Sequence, residues 1–311
     1  MSESKPAGAG GPLVLVTGGA GFIGSHLVDA LVARNLRVRV VDNFASGRRG
    51  YLNPGAEVHE CDIRAGDSLQ QAFAGVECVF HTAALPRVML SIEQPVETHL
   101  VNVIGTLNVL TAARGASVRR VIFSGSSSVY GDQDTLPMTE SMAPNPLNPY
   151  ALQKLVAEQY TRMFHRLFGI ETMTLRYFNV YGPRMAIEGA YVTVISAFMR
   201  QRLAGMPLTI HGDGTQTRDF THVHDVVRAN LAAMDCAVAD GRAINVGRGR
   251  SMSVNQVAAL IGGAVVNAPR RPGDPRDTLA DITQARALLG WEPTVDTGDG
   301  IRELTRLAGM D

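Results

Sequence analysis

Nine residues near the start of the chain, Val16-Thr17-Gly18-Gly19-Ala20-Gly21-Phe22-Ile23-Gly24, constrain it more than any other stretch. The apolar run Leu13 to Val16 enters them, and a segment of helical spacing, Phe22 to Arg34, leaves them. Glycines spaced G-x-x-G-x-x-G between a strand and a helix have separate uses. Gly18 allows the tight turn, Gly21 lets the backbone approach a pyrophosphate at the helix N-terminus, and Gly24 allows close packing of helix on strand. The next run, Arg37 to Val41, is rich in β-branched residues and ends at Asp42, eighteen residues after Gly24. A carboxylate there accepts from both ribose hydroxyls of NAD and repels the 2′-phosphate of NADP. Arg48 and Arg49 keep NADP open as the alternative. The competing reading is a glycine turn followed by a surface aspartate, and the strand–loop–helix context disfavours it.

Beyond the loop, strand and helix patterns alternate. Strands are expected at Ala56 to Cys61, Cys78 to His81, Arg120 to Ser124 and Thr172 to Arg176, and helices at Ser68 to Phe73, Val96 to Arg114 and Tyr150 to Phe168. This order specifies an α/β fold, a Rossmann-type doubly wound parallel sheet. Gly131 to Pro149, rich in proline and polar residues, reads as a surface loop near the ligand. After Asn179 the alternation weakens, and Gly182-Pro183, Gly212-Asp213-Gly214 and Pro272-Gly273-Asp274-Pro275 mark turns. The expected organisation is a flexible tail over 1–11 and a cofactor domain over 12–178, with 222–247 returning to it. Residues 179–221 and 248–308 then form a smaller C-terminal substrate-binding lobe.

Composition narrows the class. With 29 basic and 29 acidic residues the net charge is zero, which argues against a nucleic-acid binder held by bulk charge and against a polybasic membrane anchor. The chain is 45% hydrophobic and 19% charged, enough for a core and too apolar for disorder. No apolar run approaches the ~18 residues of a membrane helix, and the opening residues do not read as a signal peptide. Cys61, Cys78 and Cys236 are widely spaced and fit no metal pattern, so reduced thiols of a cytoplasmic protein are expected. His222 and His224 with Asp225 look like metal ligands, but no further ligand cluster accompanies them. Packing and helix capping are the expected roles, with no metal.

A dinucleotide unit does not specify a reaction. Tyr150-Ala151-Leu152-Gln153-Lys154 adds chemistry, since residues four apart share a helix face. An ammonium beside a phenol is expected to lower its pKa from ~10 toward neutrality and make it a general base. The competing reading is a solvent-facing pair. Phe123-Ser124-Gly125-Ser126-Ser127-Ser128-Val129-Tyr130-Gly131 ends the fifth strand, where open α/β sheets bind ligands, and a hydroxyl there can bond the same substrate oxygen. Its competing reading is a serine-rich turn.

Taken together, TGGAGFIG, SSSVYG, YALQK, RYFNVYGP and GTQTRDFTHVHD resemble the extended short-chain dehydrogenase/reductase superfamily, and within it the UDP-glucose and UDP-N-acetylglucosamine 4-epimerases, over about residues 13 to 305. The resemblance implies a catalytic triad of Ser126, Tyr150 and Lys154, with Lys154 also holding the nicotinamide ribose. It implies NAD contacts at Gly18, Gly21, Phe22, Ile23, Gly24, Asp42, Asn43, Ala83 and Ala84, with Asp62 and Ile63 at the adenine. Asn179 should meet the sugar nucleotide near its diphosphate, Arg218 and Arg271 the diphosphate itself, and Asp274 the uridine ribose, with Leu208 to His211 beside the uracil. Forked arginine donors suit phosphate, although isolated arginines are more often surface ion-pair partners. The role of Arg184 stays open.

Within the superfamily, the resemblance separates reactions by the fate of the 4-keto sugar. Dehydratases carry an Asp-Glu pair directly after the catalytic threonine, and glucuronate decarboxylases a glutamate two residues before the tyrosine of VYG. Ser127 and Ser128 stand there instead. A site without that carboxylate lacks the acid/base group for elimination, whereas an epimerase needs none. The expected activity is an NAD-dependent UDP-sugar 4-epimerase acting through a transient 4-keto sugar, with NAD kept bound. The alternatives are a UDP-glucuronate 4-epimerase, another NDP-sugar dehydratase or decarboxylase, and a non-catalytic dinucleotide sensor that would tolerate loss of the Tyr-Lys pair. Thr278 stands where a bulky aromatic would restrict the pocket to glucose and galactose, so its size leaves room for an N-acetyl group. Gly189 to Ile195 resembles the matching stretch of N-acetylhexosamine epimerases. Leu100, Val103, Leu107 and Leu110, with Leu152, Leu155, Val156, Tyr160 and Met163, spread apolar surface over more than one face of two long helices. A homodimer through a four-helix bundle, as in related enzymes, is expected.

Overall fold

In the computed structural model, residues 11–187, 193–270 and 275–310 are described. The first part of the chain runs β1 (Leu13–Thr17), α1 (Phe22–Ala33), β2 (Arg37–Asp42), β3 (Ala56–Glu60), α2 (Gly66–Ala72) and β4 (Cys78–His81). A helical stretch comes next, α3 (Val88–Glu93), α4 (Pro95–His99), one π-helical segment at Leu100–Gly105 and α5 (Thr106–Gly115). Then come β5 (Arg120–Ser126), α6 (Pro149–Phe168), β6 (Glu171–Tyr177) and β7 (Val180–Tyr181). The remainder is α7 (Val194–Leu203), β8 (Leu208–His211), β9 (Thr217–Asp219), β10 (Thr221–His222), α8 (Val223–Asp235), β11 (Asp240–Val246), β12 (Ser251–Ser253), α9 (Val254–Ile261), β13 (Val265–Ala268), α10 (Thr283–Leu289) and α11 (Thr297–Leu307).

Seven strands form one parallel sheet in the order β11-β6-β5-β4-β1-β2-β3. Every residue of β1 is buried, as a central parallel strand covered on both faces requires. Two apolar clusters lie on the sheet. One holds Val14, Val16, Leu27 and Phe80, the other Leu15, Phe73, Val79 and Val109. A third cluster, with Tyr181, Phe198, Ile210, Val257 and Ile301, is the core of the C-terminal part. The strand order reverses between β1 and β4, and that reversal leaves a crevice at their carboxyl ends.

Two sequence expectations change. The single helix expected from Val96 to Arg114 is broken by the π-helical turn. There the Asn102 side chain bonds both backbone groups of Leu85, and Gly105 packs where a Cβ would lie 2.5 Å from Ile63 Cδ1. The loop from Gly131 to Pro149 is also more than a surface excursion. Met138 is fully buried, it exchanges backbone hydrogen bonds with Leu279 and Asp281, and Glu140 accepts from Asn245 N. The tail expected over 1–11 lies outside the described residues except for Gly11.

Candidate active site

The glycine loop is closed by contact rather than by composition. Gly18 has φ +71°, and a Cβ on it would lie 2.7 Å from Ala83 N, so the loop after β1 abuts the loop after β4. A Cβ on Gly24 would strike Gly18 O, whereas one on Gly21 would meet only that oxygen, at 3.1 Å. α1 starts at Gly21 with no side-chain cap, which leaves its first N–H groups without a protein side-chain acceptor. Asp42, nearly buried at the end of β2, accepts from Ala20 N at 2.9 Å and Phe44 N at 2.8 Å. One lone pair on each oxygen is left, the acceptor set that a ribose diol needs. These features fit a dinucleotide.

Around the crevice the remaining expected cofactor residues differ in what they offer. Asn43 donates to Asp62 at 2.8 Å, and Arg64 grips the same carboxylate and holds its pKa down to about 2. The Ile63 side chain is buried against Gly105, so its backbone is what a ligand can reach. Ala83 N donates to Thr17 Oγ1. From there a buried chain runs Thr17 Oγ1 to His81 Nδ1 at 2.7 Å, His81 Nε2 to Thr106 Oγ1 at 2.9 Å, and Thr106 Oγ1 to Asn102 O at 2.7 Å. Asn102 O can only accept, so Thr106 gives its proton there. His81 must then donate from Nε2 and accept at Nδ1. Burial pushes its pKa to about 3, so the ring is neutral.

The Ser, Tyr and Lys sites meet at the carboxyl end of β5. Asn148 caps α6 by accepting from Ala151 N, and Pro149 takes the first position, so Tyr150 sits in the opening turn. Ser91 on α3 accepts from Tyr150 N at 3.0 Å. Ser126 acts on the Tyr150 phenol and draws its pKa down. Ser126 is the last residue of β5 and caps the 3-10 turn Ser127–Tyr130, with its Oγ 2.8 Å from Ser128 Oγ. Lys154 is buried, donates to Ser124 O at 2.9 Å and lies 4.9 Å from the Phe123 ring centre. The expected pKa pattern is corrected here. Burial raises the Tyr150 phenol, with Ser126 pulling the other way, and lowers Lys154 to about 8. The ammonium is committed to a strand-end carbonyl, so in the protein alone it does not hold Tyr150 as a phenolate.

The expected substrate residues are only partly gathered. Asn179, at φ +32° after β6, donates to Asp219 O at 3.0 Å and to Thr278 Oγ1 at 3.2 Å. Thr278 is buried and its Oγ1 also accepts from Asp219 N, so the small side chain expected at the pocket wall is hydrogen-bonded on its inner side. Arg218, on β9, donates to Thr217 O and Arg276 O. Arg271 and Asp274 lie outside the described residues, as does most of Gly189 to Ile195. His222 caps α8 by accepting from His224 N, and buried Asp225 accepts from Thr294 N and Val295 N.

Sequence reasoning missed the supporting shell. Glu158 lies two turns beyond Tyr150 on α6 and receives a two-pronged ion pair from Arg176 at 2.9 and 2.6 Å. Arg176 also donates to Tyr130 Oη at 2.7 Å. That joins α6 to the turn that carries Ser126. Glu158 falls at i+4 from Lys154, a spacing that could have flagged it, whereas Tyr130 and Arg176 lie in the SSSVYG and RYFNVYGP motifs, which do not show that the two side chains meet.

Residues 14–247 match the NAD dependent epimerase/dehydratase family. A putative UDP-glucose 4-epimerase of Methanocaldococcus jannaschii is 40% identical over 301 residues, covering 94% of this chain and 97% of that protein. UDP-glucuronic acid decarboxylase 1 of Xenopus tropicalis is 34% identical over 301 residues, covering 93% of this chain and 70% of its own length. The crystal structure of a UDP-glucose 4-epimerase with UDP-glucose from Thermotoga maritima superposes with a TM-score of 0.91 at 38% identity, over 95% of this chain and 99% of that one. The family match over most of the chain and the likeness along nearly the whole length of these proteins show that this chain belongs to the NAD dependent epimerase/dehydratase family, within the extended short-chain dehydrogenases/reductases.

Proposed function

We propose that this chain is a UDP-sugar 4-epimerase that inverts C4 of a UDP-hexose, of the glucose/galactose or N-acetylglucosamine/N-acetylgalactosamine pair, through a transient 4-keto sugar. The observation that carries this reading is the gathering of Ser126, Tyr150 and Lys154 at the end of β5, flanked by hydroxyls rather than carboxylates at 127 and 128. When bound, NAD supplies a reversible two-electron acceptor for C4. Gly18, Gly21, Phe22, Ile23 and Gly24 would hold its pyrophosphate, Asp42 and Asn43 a ribose, and Asp62, Ile63, Ala83 and Ala84 the rest of the dinucleotide. Ser126 positions the C4 oxygen, and Tyr150 exchanges the proton with it. Lys154 fixes the ribose and supplies positive charge under the site. With no carboxylate at 127 or 128 to drive elimination, the ketone is reduced again, and reduction on the opposite face inverts C4.

Arg218, Arg271, Asp274 and Asn179 are assigned to the UDP portion. Exposed Val96, Leu100 and Ile104, on α4 and the π-helical segment, and Leu152 and Met163 on α6 lie on helices that pack against one another, which supports a homodimer through a four-helix bundle of these segments. No helix among the described residues is long and apolar enough to cross a membrane. Three unpaired cysteines suit a cytoplasmic setting.

The test is incubation of the purified protein, without added cofactor, with UDP-glucose, UDP-galactose, both N-acetylhexosamine forms and UDP-glucuronate, and detection of products by proton NMR. One C4 pair should interconvert from either side to a fixed ratio. Loss of carbon dioxide or build-up of a 4-keto or dehydrated product would replace this reading.

A further inference from the structure

Phe22, His26 and Asp29 are spaced four and three residues apart, so they share one face of α1. Each touches something outside the helix. Phe22, the first helical residue, packs against the apolar cluster of the C-terminal part that holds Tyr181 and Met185. His26 Nε2 donates to Pro183 O at 2.8 Å, with its ring edge-on to His224 at 5.3 Å. A carbonyl can only accept, so the proton is on Nε2. Asp29 Oδ2 lies 2.8 Å from Arg184 Nη1, an ion pair not aligned as a hydrogen bond, and its Oδ1 accepts from Asn53 Nδ2 at 2.8 Å. The Arg184 guanidinium also lies 5.6 Å from the centre of the Tyr51 ring, and Arg48 lies 5.8 Å from the same centre. Arg48 N in turn donates to Ala20 O of the glycine loop at 2.9 Å. The contacts therefore run from the connector after β7, across α1, to the loop after Asp42, and back to the cofactor loop.

The connector itself is bent by backbone that few residues adopt. Gly182 (+146°) and Arg184 (+64°) both have positive φ. A non-glycine residue stays in such a conformation when surrounding contacts hold it there, and for Arg184 those contacts are Asp29 and Tyr51.

We propose that Pro183 and Arg184, gripping His26, Asp29 and Tyr51, form a clasp that locks the C-terminal lobe onto the cofactor helix and slows release of NAD. The proposal rests on the placement of NAD at Gly18–Gly24 and Asp42 given above. The loop at 43–53 lies against that placement, since a Cβ on Gly47 would lie 2.8 Å from Ala20 Cβ and 2.9 Å from Asp42 Oδ1, and the clasp ties this loop, through Tyr51 and Asn53, to the other lobe. The clasp sets residence time and leaves the reacting atoms untouched. Arg184 and Asp29 are both partly exposed, so salt weakens the grip.

The experiment measures NAD leaving the loaded full-length protein, with released NAD trapped by excess alcohol dehydrogenase and ethanol and read at 340 nm. Arg184→Met and His26→Phe should each speed release by about tenfold, Arg184→Lys by less, and added salt should speed release from the wild type but not from Arg184→Met. Asp29→Asn keeps the shape and the Asn53 contact, and gives the same reading if Arg184→Met fails to fold. Asp42→Ala reports the cofactor placement and should empty the protein of NAD. If Asp42→Ala empties it while the clasp variants release within about twofold of wild type, the clasp is overturned and the placement stands. If Asp42→Ala retains NAD as the wild type does, the placement falls, and the clasp with it.

Discussion

Tyr150 reaches its place through contacts that the Y-x-x-x-K spacing does not contain: the Asn148 cap, the Ser91 hydroxyl on its backbone N–H, and Ser126 on its phenol. The spacing shows that tyrosine and lysine share a helix face. It does not show where the ammonium goes, because the acceptor, Ser124 O, lies thirty residues earlier on another strand. Hence the grouping of Ser126, Tyr150 and Lys154 at one end of the sheet is legible in the sequence while the partner of the ammonium is not. Tyr150→Phe removes the proton-exchanging oxygen and keeps the ring. Its kcat should fall by ~10²–10⁴, the usual worth of a positioned acid/base group, with NAD content unchanged in the purified protein. Near-full turnover would take Tyr150 out of the mechanism. The pH dependence has a definite sign. Only the phenolate accepts a proton, so kcat/KM rises with pH through the Tyr150 ionisation. Burial moves that acid limb up, and Ser126 moves it down. Ser126→Ala should therefore shift the limb to higher pH. A pH–rate profile whose limb stays in place would show that Ser126 does not act on the phenol.

At the scale of elements, α6 and β6 are fastened by the Glu158–Arg176 pair, whose side chains are 7% and 5% exposed. Removing one partner of a buried ion pair leaves an uncompensated charge. Arg176→Met should thus lose about 3–5 kcal/mol of stability in urea unfolding, and a loss near zero would show that the pair is not closely coupled. Strands such as β1, β4 and β5 were legible because each carries a run of three or four apolar residues in a stretch too short for a helix. The π-helical turn was not, since it arises from the tertiary contacts of Asn102 and Gly105 rather than from local propensity. Likewise the polar composition of Gly131 to Pro149 hides the single residue, Met138, that anchors it in the core.

For the whole molecule, the glycine loop and the alternation were enough to read the parallel seven-stranded sheet. The C-terminal lobe was harder to read, because its two-stranded pairings β8–β13, β9–β12 and β7–β10 join segments far apart in the chain. The exposed apolar residues on α4, the π-helical segment and α6, including Val96 at 73% and Leu152 at 51%, are the surface on which the proposed dimer rests. Sedimentation at micromolar concentration should show a dimer of the 33.3 kDa chain, and Leu152→Lys should dissociate it. A wild-type protein that sediments as a single chain would refute the dimer. The central claim is that one bound NAD oxidises and re-reduces the same carbon. It is tested most directly with the active UDP-sugar deuterated at C4 in ordinary water. The account predicts that the C4 epimer forms with its deuterium retained at C4 and without cofactor added to the purified protein. Loss of the deuterium to solvent, or a strict need for added cofactor in stoichiometric amounts, would contradict it.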